Sequence, residues 1–225
     1  MTFLKRFIKL MKSEPKQKKK RYVWMIDESK CLKIDEVNRL REFAEGLKEE
    51  GLRKRKFSRI RNWFMIELGL GAGLRVAEMT SLMHGSLFID GFRSSIVVLG
   101  KGDKIRPVWI GSEFKKKCFE YIQYKIEFGY SVRSEAYFLN NLIDTKISKR
   151  ALQKFFKQII IKSGLPSRYH IHCMRHTYAT FLLKASGYNY KFVQDQLGHA
   201  SISTTQVYAS VIESEGKKAL ECIYK

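Results

Sequence analysis

Acidic residues are scarce in this chain of 225 residues, where 22 Asp and Glu stand against 43 Lys and Arg and give a formal net charge of +21. A surplus of this size predicts a polyanionic partner, for which nucleic acid and an anionic membrane surface are the two choices. Long apolar runs are missing too, since none approaches the roughly 20 residues that span a bilayer. The opening MTFLKRFIKLMK is too interrupted by Lys and Arg for a secretory signal. We therefore expect a cytoplasmic protein that does not insert into a membrane.

Cysteine is also sparse, and its spacing excludes two kinds of structure. Four cysteines are far apart in the chain and form no C-x-x-C pair: Cys31, Cys118, Cys173 and Cys222. This argues against a disulfide framework and against a Cys-rich zinc site. Nor is there a phosphate-binding P-loop or a cluster of carboxylates suited to magnesium. We expect neither a metal nor a cofactor.

The composition supports a folded domain behind a basic arm. With 44% hydrophobic and 13% aromatic residues the chain can build a core. Residues 1–26 form the predicted arm, a short basic amphipathic helix that Pro15 ends, followed by KQKKKR. Such a helix could lie on a membrane, dock on a partner, fold on DNA or simply fray. Residues 27–225 read as one domain, with a C-terminal helix from about residue 211.

Periodicity predicts a mainly α domain with a small antiparallel β-sheet or hairpin, an α+β fold. KIDEVNRLREFAEGLKEEG, SRIRNWFMIELGLGAG and RVAEMTSLM read as three helices, the second capped by Ser58 and ended by its glycines. SSIVVLGKGDKIRPVWI reads as two strands around a turn. Helices follow over 112–128, from the cap Ser148 to about Lys162, and in four later segments up to the C-terminus.

Several side chains could carry chemistry, although each has an ordinary structural explanation. Arg75 begins a helix with Glu78 three residues on, which alone suggests a surface or ion-paired arginine. His172 lies three residues before Arg175 and four before His176, so each pair shares a helix face. The two histidines could bind zinc, but a third ligand and the Glu of a metalloprotease motif are missing. His176 by itself fits a packing role.

The remaining candidates lie in the hairpin and near the C-terminus. Lys101 in GKGDK is typical of a solvated turn, and Tyr208 has a phenol that is a poor nucleophile unless cations and a proton acceptor lie close. His199 precedes Tyr208 by nine residues. Together with the arginines and His172, these side chains suit metal-free attack on a phosphodiester, whose transition state gathers charge that guanidiniums neutralise.

Four motifs then identify a family. GLRVAEMTSL, VLGKGDKIRPVWI, HCMRHTYAT and QLGHASISTTQVYA, in this order, resemble the catalytic domain of the tyrosine recombinases, the phage integrase family. The resemblance covers roughly residues 27–215. It implies a tyrosine recombinase catalytic fold, double-stranded DNA as partner, DNA strand exchange as activity, and a homo-oligomer assembled on DNA.

The resemblance also implies a role for each of six residues. The implied set is Arg75, Lys101, His172, Arg175, His199 and Tyr208. The two arginines would hold the non-bridging oxygens of the scissile phosphate while Tyr208 attacks and forms a 3′-phosphotyrosine. Lys101 would protonate the 5′ leaving oxygen and His172 would handle the tyrosine proton. His199 would hydrogen-bond the phosphate and help to orient Tyr208.

One departure from the family is large, because only residues 1–26 precede the catalytic region where members usually carry a helical DNA-clamping domain. We expect the Lys-rich arm to replace that clamp in part. The apolar C-terminal segment would pack either on another subunit, as family tails do, or on its own domain. Two other activities remain open: a non-catalytic DNA-binding accessory protein on the same fold, and type IB topoisomerase-like nicking and closing.

Overall fold

The computed structural model describes residues 30–89, 94–99, 105–141 and 145–198. Three helices, three strands and four helices follow one another in the order α1 Ile34–Arg53, α2 Phe57–Ala72, α3 Val76–Ser81, β1 Leu87–Phe88, β2 Ser95–Leu99, β3 Ile105–Trp109, α4 Ser112–Glu127, α5 Lys149–Lys162, α6 His172–Ala185 and α7 Tyr190–Leu197. A 3-10 turn, His84–Ser86, leads into β1. The predicted arm at 1–26 and the predicted C-terminal helix from about 211 lie outside the described residues.

Helix α2 is the centre of the core. Twelve of its sixteen residues are buried, and α1, α4, α5 and α6 all contact it. A helix that is apolar on almost every side is stable only when other elements surround it, so its sequence fixes its central position. It ends at Gly73, whose φ of 60° is left-handed and favours glycine. The chain turns there toward Arg75.

The three strands form one antiparallel sheet in the order β1, β2, β3. Strand β2 pairs with β3 from Ser95 opposite Trp109 to Leu99 opposite Ile105. Pro107 in the edge strand β3 has no N–H to offer a further strand, which discourages edge-to-edge pairing. Gln196 of α7 covers the end of that edge, because its side-chain amide bonds both the N–H and the C=O of Trp109.

The expected fold class is confirmed, with local corrections. Ser58 does not cap α2, which begins one residue earlier at Phe57, whereas Ser148 caps α5 by accepting a hydrogen bond from the backbone N–H of Ala151. Strand β1 was not predicted, since two residues are too short for a visible alternation. Among the described residues, no disulfide joins the cysteines Cys31, Cys118 and Cys173. Within the described ranges, no helix combines the length and apolar character of a membrane span.

Candidate active site

Arg75 and Glu78 form the entrance to helix α3. Arg75 is the residue before the helix, and its backbone N–H donates to Glu78 Oε2 at 2.7 Å, one half of a capping box. Its guanidinium Nη1 donates to Glu78 Oε1 at 2.9 Å, and Nη2 donates to the carbonyl of Gly198 at 3.3 Å. The side chain of Arg75 keeps 35% of its surface exposed. It is therefore held in place and still open to a ligand.

Arg175 on α6 joins the ends of two helices. Its Nη1 donates to the carbonyl of Gly73, after α2, at 2.7 Å, and its Nη2 to the carbonyl of Leu197, at the end of α7, at 2.6 Å. Its Nη1 also lies 3.8 Å from Glu78 Oε2. The sequence prediction that Arg75 and Arg175 lie together is consistent with this arrangement, in which both approach the same carboxylate.

Arg106 is a third arginine at this carboxylate and was not among the predicted site residues. It lies on β3 and donates from Nη1 to Glu78 Oε1 at 2.9 Å and from Nη2 to Glu78 Oε2 at 3.3 Å. The strand alternation held a signal, because Val108 is buried and Arg106, two residues earlier, points to the same inner face. We call Arg75, Glu78, Arg106 and Arg175 the Glu78 cluster.

The Glu78 cluster carries more positive than negative charge. Burial alone would raise the pKa of Glu78, but hydrogen bonds from Arg106 and from the backbone of Arg75 outweigh it and lower the pKa. Burial and then repulsion from Arg75 lower the pKa of Arg175 to about 9, which leaves the guanidinium charged at neutral pH. Among the described residues, three guanidiniums thus contact one carboxylate. Such a site favours an anion.

His172 begins α6 one turn before Arg175. Burial lowers its pKa, and the nearby charges of His170, Arg175 and Arg75 lower it further, so the imidazole is neutral at neutral pH. The rings of His170 and His172 are 6.0 Å apart. Both line a cavity of about 330 Å³, together with Gln153, Phe156, Lys157 and Ile171. His172 can therefore act as a proton acceptor beside the cluster.

The predicted site residues divide into two groups. Arg75, Arg175 and His172 lie together, whereas Lys101, His199 and Tyr208 lie outside the described residues. The described chain ends at Gly198, whose carbonyl contacts Arg75, and His199 follows it in the sequence.

His176, the second member of the possible zinc pair, is buried, while the partly buried His172 is more open to solvent. Burial lowers the pKa of His176 to about 4, and His170, His172, Lys30 and Arg175 add to the effect. Within the described parts of the chain, no group of three or more His, Cys, Asp or Glu side chains is arranged to hold a metal ion.

The domain is mainly helical and carries a three-stranded sheet. An arginine cluster lies between this sheet and the ends of two helices. The model of the phage integrase family matches residues 30–215. The chain belongs to the phage integrase family.

Relatives of known name agree with this assignment. The chain is 39% identical over 151 residues to the tyrosine recombinase XerC of Proteus mirabilis, covering 66% of this chain and 47% of the relative. It is 37% identical over 154 residues to XerC of Lactobacillus leichmannii, covering 68% and 51%. The chain thus spans about half the length of these curated relatives.

Solved structures share the fold. The crystal structure of XerA recombinase matches with a TM-score of 0.65 and 26% identity, over 84% of this chain and 64% of that one. XerH recombinase bound to its difH substrate matches with a TM-score of 0.65 and 24% identity, over 80% of this chain and 50% of that one.

Proposed function

We propose that this chain is a site-specific DNA recombinase that cleaves and rejoins DNA strands through Tyr208. The observation that carries the proposal is the surplus of guanidiniums at Glu78. Arg75 and Arg175 are fixed by carbonyl and carboxylate contacts at 2.6 to 3.3 Å, so they need little rearrangement to meet a phosphate. Prearranged charge of this kind stabilises a transition state more than a ground state.

The reaction assigns one step to each side chain. The phenolic oxygen of Tyr208 bonds to phosphorus, and its proton passes to His172. The bond from phosphorus to the 5′ oxygen breaks, and that oxygen takes a proton from Lys101. Arg75 and Arg175 hold the non-bridging oxygens.

His199 hydrogen-bonds the phosphate in this scheme and orients Tyr208. Because the phosphodiester energy is kept in the 3′-phosphotyrosine, a 5′-hydroxyl of another strand can reverse the step. The neutral state of His172 supports its role, since a protonated imidazole could not accept the phenol proton.

Double-stranded DNA is the proposed partner, in agreement with the net charge of +21 and with XerH, which was solved on a DNA substrate. The proposal includes a homo-oligomer on DNA, in which the apolar residues Val211, Leu220 and Ile223 pack on a neighbouring copy. Residues 1–26 would add phosphate contacts and so increase the salt dependence of binding.

A covalent adduct tests the proposal. Duplex DNA from the source genome, nicked at random, serves as substrate because attack beside a nick releases a short fragment and traps the intermediate. We expect a protein-DNA adduct that survives denaturation, maps to Tyr208 by mass spectrometry of the digested complex, and is absent from Tyr208→Phe.

Two results would contradict the assignment. One is an adduct that persists in Tyr208→Phe. The other is DNA binding by the wild-type protein without any adduct, which would favour a DNA-binding accessory protein. Sequencing the trapped DNA identifies the target site in the same experiment.

A further inference from the structure

Arg106 occupies an unusual position for a charged residue, on the inner face of a strand. Its side chain is only 13% exposed. The two donors on its fork reach the two oxygens of Glu78 at 2.9 and 3.3 Å, which is the bidentate arrangement that gives Arg pairs their directionality. Strand β3 is thereby fixed relative to the carboxylate that also holds Arg75.

The same side chain lies against the end of helix α7. Arg106 Nε donates to the carbonyl of Gln196 at 3.5 Å. Gly198 follows with a left-handed φ of 65°, and a Cβ at this position would lie 2.5 Å from Arg106 Nε. The close contact therefore requires glycine for both conformation and space.

Arg106 thus connects three parts of the proposed site. Strand β3 begins four residues after Lys101 in the sequence, Glu78 holds the phosphate-binding arginines, and α7 leads through Gly198 to His199 and Tyr208. From its place on β3, the planar guanidinium contacts both Glu78 and the end of α7. We propose that Arg106 is a positioning residue that sets the hairpin, and with it Lys101, relative to the bound phosphate.

This inference rests on the proposed function and adds a prediction to it. Arg106 acts through Lys101, so its loss should impair protonation of the 5′ leaving oxygen more than attack by Tyr208. Lysine cannot replace it, because an ammonium has no planar fork to span two carboxylate oxygens and a helix carbonyl. A displacement of about 1 Å in a reacting group can cost about 100-fold in rate.

A sulfur-substituted substrate separates protonation from the other roles. In a nicked duplex carrying sulfur in place of the 5′ bridging oxygen, the leaving group is a thiolate. Its conjugate acid has a pKa of about 8.5, so the thiolate departs without a proton donor. Adduct formation by Arg106→Lys should be about 100-fold slower than wild type on the ordinary DNA. On the sulfur-substituted DNA it should be close to wild type.

Two further variants complete the experiment. Lys101→Ala should show the same selective defect, and the double variant Lys101→Ala with Arg106→Lys should be no slower than Lys101→Ala alone, since both changes affect one step. Arg41→Lys is the matched control. Arg41 pairs with the buried Glu67 outside the Glu78 cluster, and the change should leave both rates unaltered.

A rate close to wild type on the sulfur-substituted DNA would also show that Arg106→Lys is folded. Equal slowing on both substrates would overturn the inference, because Arg106 would then support the fold or the phosphate. Wild-type rates on both would overturn it as well. Either result would leave the adduct at Tyr208 intact, whereas a wild-type protein that attacks neither substrate would refute the proposed function and this inference together.

Discussion

Two clusters of ionic side chains lie in this domain, and they differ in charge balance. The first, which we call the Trp63 cluster, joins α1, α2 and α4 around Trp63 and contains Arg41, Glu45, Lys48, Glu67, Lys117 and Glu120. Its described members are three cations and three carboxylates. The Glu78 cluster contains three guanidiniums and one carboxylate in the described chain.

The difference separates a structural from a functional use of charge. In the Trp63 cluster each carboxylate has a cation within 4 Å, and Lys48 and Lys117 also lie over the Trp63 ring at 4.8 and 5.4 Å from its centroid. The charges of this network are therefore balanced without a ligand. The Glu78 cluster has similarly short contacts but carries a net positive charge, which a phosphate can neutralise.

Replacing one arginine in each cluster by lysine should give the largest difference in activity between the two clusters. Arg175→Lys keeps the charge but cannot reach the carbonyls of both Gly73 and Leu197, so strand cleavage should fall at least about 100-fold. Salt-dependent DNA binding should change little, because the number of cations is unchanged. Adduct formation and a binding titration measure the two effects.

The control for Arg175→Lys is again Arg41→Lys, whose side chain is 44% exposed at the edge of the Trp63 cluster. It should cleave as the wild type does. If Arg175→Lys also cleaved at the wild-type rate, the assignment of Arg175 to the phosphate would be wrong.

Removing a carboxylate should affect stability differently in the two clusters. Glu78→Gln leaves three guanidiniums facing one another at a buried position, which should lower the free energy of unfolding by about 3 kcal/mol. Glu67→Gln should lower the free energy of unfolding by only about 1 kcal/mol, because Lys117 would still pair with Glu45 and the side chain of Arg41 is 44% exposed to solvent. Urea unfolding at neutral pH measures both.

The same unfolding measurements with added sulfate test whether the Glu78 cluster attracts anions, because an anion should replace part of the missing charge in Glu78→Gln. Added sulfate should recover more of the lost stability in Glu78→Gln than in Glu67→Gln. Equal recovery in the two variants would show that the Glu78 cluster does not attract anions and would argue against the charge surplus as its distinguishing property.

Much of this architecture follows from local sequence patterns. The apolar periodicity of α1 and α5, the run that forms α2 and the Ser148 cap are all properties of neighbouring residues, so the sequence alone predicts them. Strand β1 pairs through only two positions, Leu87 with Ile96 and Phe88 with Ser95, and its existence depends on β2. No local pattern could indicate it.

The site shows the same limit. Arg75, His172 and Arg175 were recognisable because the family resemblance implies a role for each of them, whereas it implies none for Arg106, although Arg106 also lies in one of the family motifs. Arg106 and Glu78 are 28 residues apart, and their pairing arises only when β3 packs beside α3. Sequence reasoning located the residues of the proposed chemistry but missed the contact that holds them.

The smallest expected effect concerns acid stability in the Trp63 cluster. Burial of Glu45 opposes its ionisation, but hydrogen bonds from Lys117, Lys48 and Trp63 outweigh this and lower its pKa from 4.5 to about 2. Because the folded pKa lies below the unfolded value, the stability that Glu45 contributes is complete above about pH 4.5 and is lost as the pH falls toward 2. The difference in unfolding free energy between wild type and Glu45→Gln should therefore narrow across this range.

Urea titrations of the two proteins at several pH values between neutrality and the acid limit of folding measure that difference. A difference that stays constant with pH would mean that Glu45 stabilises the fold by packing against Trp63 and not by its charge. A narrowing difference, together with unchanged DNA cleavage by Glu45→Gln at neutral pH, would place the Trp63 cluster on the structural side of the comparison, since its charges would then act on the fold alone.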